Sequence, residues 1–196
     1  MSWSVGEASA LALKAARGAG MAWGQAEEAG FAVRWLQQRT APGIEALSHY
    51  LEIYDSGEPA QQHCPIAIGT AISDTAITPP IDLGMVHLPL LLVPFIAAIA
   101  NEQPIRLTVD DMTIDIFNHD FQVSQPLAKI VLPQAQCSLT IGDVTGFTPN
   151  SQCAVRVPDT AADAMARLDQ FAHRTYAPAT EESRMSGAGA DKDVND

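Results

Sequence analysis

Apolar residues recur at three- and four-residue spacing towards both ends of the chain and at two-residue spacing through its middle, so helical ends are predicted to flank a strand-rich centre. From Glu7 to about Ala19 the chain is rich in Ala and Leu, with Ser4 as a cap and Gly18 and Gly20 as a stop. A second helix is predicted from about Trp23 to Gln38. Ala22, Ala26 and Gly30 form a small-residue stripe on it that admits another backbone. Pro42–Gly43 breaks the chain, and Ile44, Leu47, Leu51 and Tyr54 mark a third helix.

Pro65–Ser73, with isoleucines at 66, 68 and 72, is expected to be a strand. Leu83–Ala100 then carries no formal charge over a length at which a membrane span is thinkable. Pro89 and Pro94 interrupt it, so a short extended piece followed by a buried helix is expected, with Pro89 in the first turn and Asn101 closing it. Beyond that the period becomes two. Ile105–Val109 and Met112–Ile116 flank Asp110–Asp111 as a hairpin, and Lys129–Leu132, Cys137–Gly142 and Cys153–Val157 read as further strands. Asn118–His119–Asp120 and Thr148–Pro149–Asn150 read as turns, and Asp159 or Thr160 caps a last helix to about His173.

This order predicts an α+β fold: N-terminal helices packed with a mainly antiparallel sheet, one buried central helix, and a C-terminal helix. Residues 1–176 are expected to form a single domain. Residues 177–196 are expected to be a tail, free or ordered by docking or by a partner chain.

Composition narrows the partners. With 11 Lys+Arg against 23 Asp+Glu the net charge is −12, which disfavours nucleic acid. Dividing the chain at residues 58 and 158 leaves each part acidic, the pattern of a distributed charge coat. No Lys or Arg occurs between Arg39 and Arg106, and arginines gather towards the ends, at positions 17, 34, 39, 167, 174 and 184. If the ends meet, a local cationic pocket follows. The N-terminus has no basic start and apolar run of an export signal, so a cytoplasmic address is expected. Cys64, Cys137 and Cys153 are too few and too widely spaced for a disulfide framework or a zinc site.

Two constellations could carry chemistry. In the first, Arg17 and Arg34 hold a carboxylate or phosphate beside Trp23, with Glu27 or Glu28 as general base; the same residues also read as exposed helix ion pairs. The second joins Arg174, Tyr176 and Arg184, with the tail folded over a cleft or inserted into a neighbouring subunit; it also reads as a solvated tail or a latch. The five histidines are scattered, so no metal is expected, and His87 reads as a hydrogen-bonded core residue. Cys137 and Cys153 read as buried thiols in phase with their strands, and Cys64 is the one candidate nucleophile. Glycine pairs at 18–20 and 187–189 lack the spacing of a phosphate loop, so no cofactor is expected.

The segments KAARGAGMAWGQAEEAGFAVRWL (14–36) and HRTYAPATEESRMSGAGADKDVND (173–196), with CPIAIGTAISD (64–74) between them, resemble a bacterial family of small proteins carrying a domain of unknown function. The resemblance implies a bacterial cytoplasmic protein and no particular activity. Two functions stay open: a binding or assembly protein, slightly favoured, for a small anionic metabolite, a second copy of the chain or a partner subunit; and an enzyme or enzyme subunit acting on such a metabolite through arginine anchoring and glutamate acid–base work.

Overall fold

A computed structural model describes residues 3–57, 62–75, 78–126, 129–143, 145–148 and 153–176. Among the described residues there are six helices and a five-stranded sheet, which the fifth helix approaches at its third and fourth strands. α1 spans Val5–Gly18, α2 Trp23–Gln38, α3 Gly43–Asp55, α4 Pro65–Thr75, α5 Val93–Ile99 and α6 Ala162–His173. The strands are β1 Ile81–His87, β2 Ile105–Val109, β3 Met112–Phe117, β4 Asp120–Val123 and β5 Gln134–Ile141, in the spatial order β1-β5-β2-β3-β4 with every neighbouring pair antiparallel. The α+β expectation holds.

Local sequence explains most elements. Ser4 caps α1 in a reciprocal box with Glu7, whose side chain returns a bond to the Ser4 amide. On β2 and β3, Ile105, Leu107, Val109, Met112, Ile114 and Ile116 all point into the core, while Arg106 and Asp115 pair in bidentate fashion on the other face at 2.6 and 2.9 Å. The hairpin turns at Asp110, which has φ +50°. Leu83–Ala100 divides as expected into the end of β1 and a helical stretch, a 3-10 turn at Pro89–Leu92 running into α5, and Asn101 bonds the Ala98 carbonyl at 3.2 Å. His87 is buried with Nδ1 at 3.4 Å from the Pro133 carbonyl.

Ala26 and Gly30 of the small-residue stripe on α2 are buried inside the molecule, while Ala22 is exposed. A Cβ on Gly30 would stand 3.1 Å from the Ser9 carbonyl, and Ser9 donates to the Gly30 carbonyl at 2.9 Å, so α1 itself occupies that face. α3 and α6 run alongside in one direction. Ser48 and Asp55 on α3 meet Arg167 and Arg174 on α6, an equal step of seven on both helices.

Four expectations are corrected. Pro65–Ser73 is helix, not strand: Ile66, Gly69 and Ile72 share a buried face, and a Cβ on Gly69 would stand 2.3 Å from the Phe95 ring, so packing on α5 overrides the β-branched composition. Lys129–Leu132 forms no strand; its Ile130 fills the core from a loop. Cys153–Val157 crosses α1 with a single bridge, Ser4 to Arg156, and leaves Cys153 exposed, whereas Cys137 is buried and its thiol is pushed up to about 12, first by burial and then by Asp110. Finally, α6 starts after a 3-10 turn at Asp159–Ala161 and has no side-chain cap. The Thr148–Pro149–Asn150 turn falls partly, and residues 177–196 wholly, outside the described residues. No helix among the described residues is long and apolar enough to cross a membrane.

Candidate functional site

The first predicted constellation lies at the corner between α1 and α2. Gly20, at φ +95°, reverses the chain, and the Met21 amide closes the turn on the Ala16 carbonyl at 3.0 Å. Arg17 folds back over this corner, donating to the Met21 carbonyl with its guanidinium 5.6 Å from the centre of the exposed Trp23 ring. The structure thus brings Arg17 and Trp23 together. Arg34 stands eleven residues beyond Trp23 on α2, roughly 16 Å along the axis at ~1.5 Å per residue. It is exposed, and no ion pair joins Arg17 or Arg34 to Glu27 or Glu28 among the described residues. The Glu28 carboxyl is raised above its ordinary value by burial, then by Asp74 on α4 and by Glu27. This corner therefore holds an arginine engaged with backbone and an acidic cluster without a cation.

In the second constellation, Arg174 grips Asp55 through two bonds of 2.6 and 3.1 Å and covers Phe171, while Tyr176 lies beside His173 with ring centres 5.3 Å apart. Arg184 lies outside the described residues. The Asp55 carboxyl is held below its usual range by the Arg174 bond. The remaining arginines named by sequence are similarly engaged. Arg39 stacks on Trp35 at 3.8 Å and bonds the His119 carbonyl at 3.0 Å beside Asp120, and Arg167 reaches Ser48 and Glu52. They are dispersed over the surface, each to a local partner.

A different corner carries a cavity. α2 ends at Gln38, Thr40 adopts φ +58°, and the Ala41 amide closes on the Leu36 carbonyl at 3.0 Å before Pro42 leads into α3. Gly43 is required there, because a Cβ would stand 2.8 Å from that of Leu36. This geometry places Gln37, from the last turn of α2, and Glu45, from the first turn of α3, in the wall of one hollow of about 540 Å³. His49 lies one turn further along α3 on the same wall, and Val131, Pro158 and Thr160 close the opposite side. The Ala154 amide bonds the Gln38 carbonyl at 2.8 Å, tying the segment that leads to that side onto the end of α2.

The polar inventory of this hollow is unusual. Gln37 is 2% exposed, and its Nε2 has no hydrogen-bond partner; Oε2 of Glu45 is buried and likewise without one. Each such atom costs about 1–3 kcal/mol if left unmade, and both lie out of reach of solvent behind the wall of the hollow. The Tyr50 hydroxyl, whose neighbour is the Cys64 thiol, differs in kind. It is fully buried beside Cys64 in the core, and burial followed by the thiol's proximity holds its pKa above the ordinary tyrosine range.

Residues 3–71 match the family model of a protein of unknown function (DUF3726). The similarity spans α1 to α3 and most of α4, and so contains Gln37 and Glu45 but not Val131, Pro158 or Thr160. It includes residues 14–36 and most of 64–74 but stops far short of 173–196. No curated protein and no solved structure matches the chain.

Sequence reasoning missed Gln37 and Glu45. The signal for Gln37 was present, since it continues the buried series Ala26, Gly30, Val33 at helical spacing and is its one amide. Glu45 gave none, because an acidic residue in the first turn of a helix is ordinary.

Proposed function

We propose that this chain is a binding protein for a small polar molecule held in the hollow between the end of α2 and the start of α3. One observation carries the reading: a hollow of about 540 Å³ is lined by Gln37, Thr40, Glu45, His49 and Thr160, polar residues brought together from the α2–α3 corner and the chain ahead of α6. Polar groups converging on one concavity are the usual recognition elements of a small-molecule site. The bacterial and cytoplasmic address belongs to the same proposal and rests on the resemblance of residues 14–36 and 64–74.

Thermal unfolding against a panel of polar metabolites tests it. At least one compound is expected to raise the melting temperature of the native chain by several degrees and to leave Gln37→Met unmoved. If every stabilising compound acts equally on both proteins, the hollow is not the site.

The enzyme reading has one observation of its own, the raised carboxyl of the half-buried Glu28, a condition that suits a proton-transfer group. An anionic substrate there would have to displace Arg17 from the Met21 carbonyl and meet Glu27, Glu28 and Asp74.

A further inference from the structure

A second hollow, of about 360 Å³, lies where the segment ahead of α6 crosses the N-terminus. We propose that it is a trough for a linear diammonium compound. The crossing sets one wall. The Val157 amide donates to the Trp3 carbonyl at 2.9 Å and the Val5 amide to the Val155 carbonyl at 3.0 Å, on either side of the Ser4–Arg156 bridge. Side chains alternate along such a pairing, so Trp3 and Val157 turn to the hollow. Ser4 and Arg156 turn the other way, where Ser4 caps α1 and Arg156 stands near the Glu7 carboxylate. No Lys or Arg lines the hollow among the described residues.

The facing wall is one stripe of α6 and the turn before it. Asp159, Ala162, Met165, Ala166 and Asp169 follow at helical spacing. Ala162 and Ala166 are exposed and too short to fill the space, and Met165 is buried, so the floor of the trough is apolar. A carboxylate stands at each end. Both are exposed and within reach of a solute. Among the described residues no ion pair reaches Asp159, and Asp169 meets only the exposed His173, at 3.2 Å. From Ala162 to Asp169 the axis rises roughly 10 Å at ~1.5 Å per residue, and Asp159 lies one turn further out, so the two carboxylates cannot share one metal ion. Two anionic ends over an apolar floor instead suit a solute with an ammonium at each end and a carbon stem between. Each ammonium donates a charge-assisted bond to its aspartate, while Trp3, 38% exposed, and the Ala162–Ala166 floor take the stem.

Four probes separate these contributions: hexane-1,6-diamine, hexylamine, hexane-1,6-diol and propane-1,3-diamine. Each is titrated at low salt into the full chain and followed by the Trp3 indole N–H resonance, which Trp3→Phe identifies by its loss. Hexane-1,6-diamine is expected to shift it and saturate. Hexylamine, with one charge, and propane-1,3-diamine, too short to reach both ends, are expected to bind roughly threefold more weakly or worse, and the diol not to bind. Asp159→Asn and Asp169→Asn are each expected to bring hexane-1,6-diamine down to the level of hexylamine, and Ala166→Leu to abolish the response. Glu102→Gln removes the same charge from an exposed position elsewhere and is expected to change nothing. Propane-1,3-diamine binding as tightly as hexane-1,6-diamine, or Glu102→Gln weakening it as much as either aspartate variant, overturns the proposal in favour of diffuse attraction to a chain of net charge −12. Equal binding of the diol overturns the ligand class, and a Trp3 resonance that responds to none of the four overturns the site.

Discussion

The corners at the two ends of α2 are built from the same backbone device and put to different uses. At the α1–α2 corner Gly20 takes the left-handed position and Met21 closes on Ala16; at the α2–α3 corner Thr40 takes it and Ala41 closes on Leu36. At the first, everything is consumed locally. Arg17 bonds the Met21 carbonyl, Trp23 lies against the guanidinium, and the backbone of α6 passes so close to Gly18 that a Cβ would stand 1.8 Å from the Phe171 carbonyl oxygen. At the second, the turn residue is a β-branched one held at positive φ, a hollow lies beside the turn, and two flanking side chains keep a buried polar atom without a partner. The two corners thus differ in how their polar atoms are completed, not in the fold of the turn.

Mutations can break this contrast, and the largest effect is expected at the packed corner. Gly18→Ala forces α1 and α6 apart at a backbone contact and should cost about 3 kcal/mol or more, seen as a lower urea midpoint. At the other corner the sign reverses. Gln37→Met removes an orphan donor from a buried position and should stabilise the free chain by about 1–2 kcal/mol while abolishing ligand-dependent stabilisation. A destabilised Gln37→Met would mean that the amide is already satisfied. Thr40→Gly relieves a left-handed β-branched residue and should gain about 1 kcal/mol in the same assay. A null result there would show that the corner carries no strain.

The smallest effect is a pH dependence, and it separates two carboxylates. Glu28 has a folded pKa above its unfolded one, so the native state takes up its proton first and the penalty of its charge is relieved as pH falls through the raised value. Glu28→Gln should therefore stabilise modestly at neutral pH and lose that advantage in acid. Asp55 is depressed by Arg174, so its contribution is present above the unfolded carboxylate pKa and is lost as pH falls through the depressed folded value. Asp55→Asn should flatten the acid limb of the stability curve. Unfolding midpoints measured from neutral pH into that range check both signs.

Legibility in the sequence varied with how local each feature is. The boundaries of α1, α2 and α3 and the β2–β3 hairpin follow from capping residues, glycines and the period of apolar positions within a dozen residues. α4 escaped because its isoleucines favour a strand by propensity, and only the seat of Gly69 on the Phe95 ring makes the helix the better solution. The Cys153–Val157 segment alternates like a strand but lies outside the named sheet, so its pattern fails to bury Val155, which is 73% exposed. For the site, residue type misled: Arg17, Arg34 and Arg174 carry the side chains most suited to anion binding, yet two of them are spent on the fold and the third stands apart on α2.

By itself the sequence determined what depends on neighbours along the chain: α1 with its Ser4 cap, α2, α3 and the β2–β3 hairpin, hence an antiparallel α+β architecture, and a charge balance hostile to polyanions. Tertiary structure alone decided which polar atoms were left over. Satisfying a hydrogen bond is a property of a place rather than of a residue, and the place that leaves Gln37 and Glu45 incomplete is assembled from positions as far apart as 37, 45, 131 and 160.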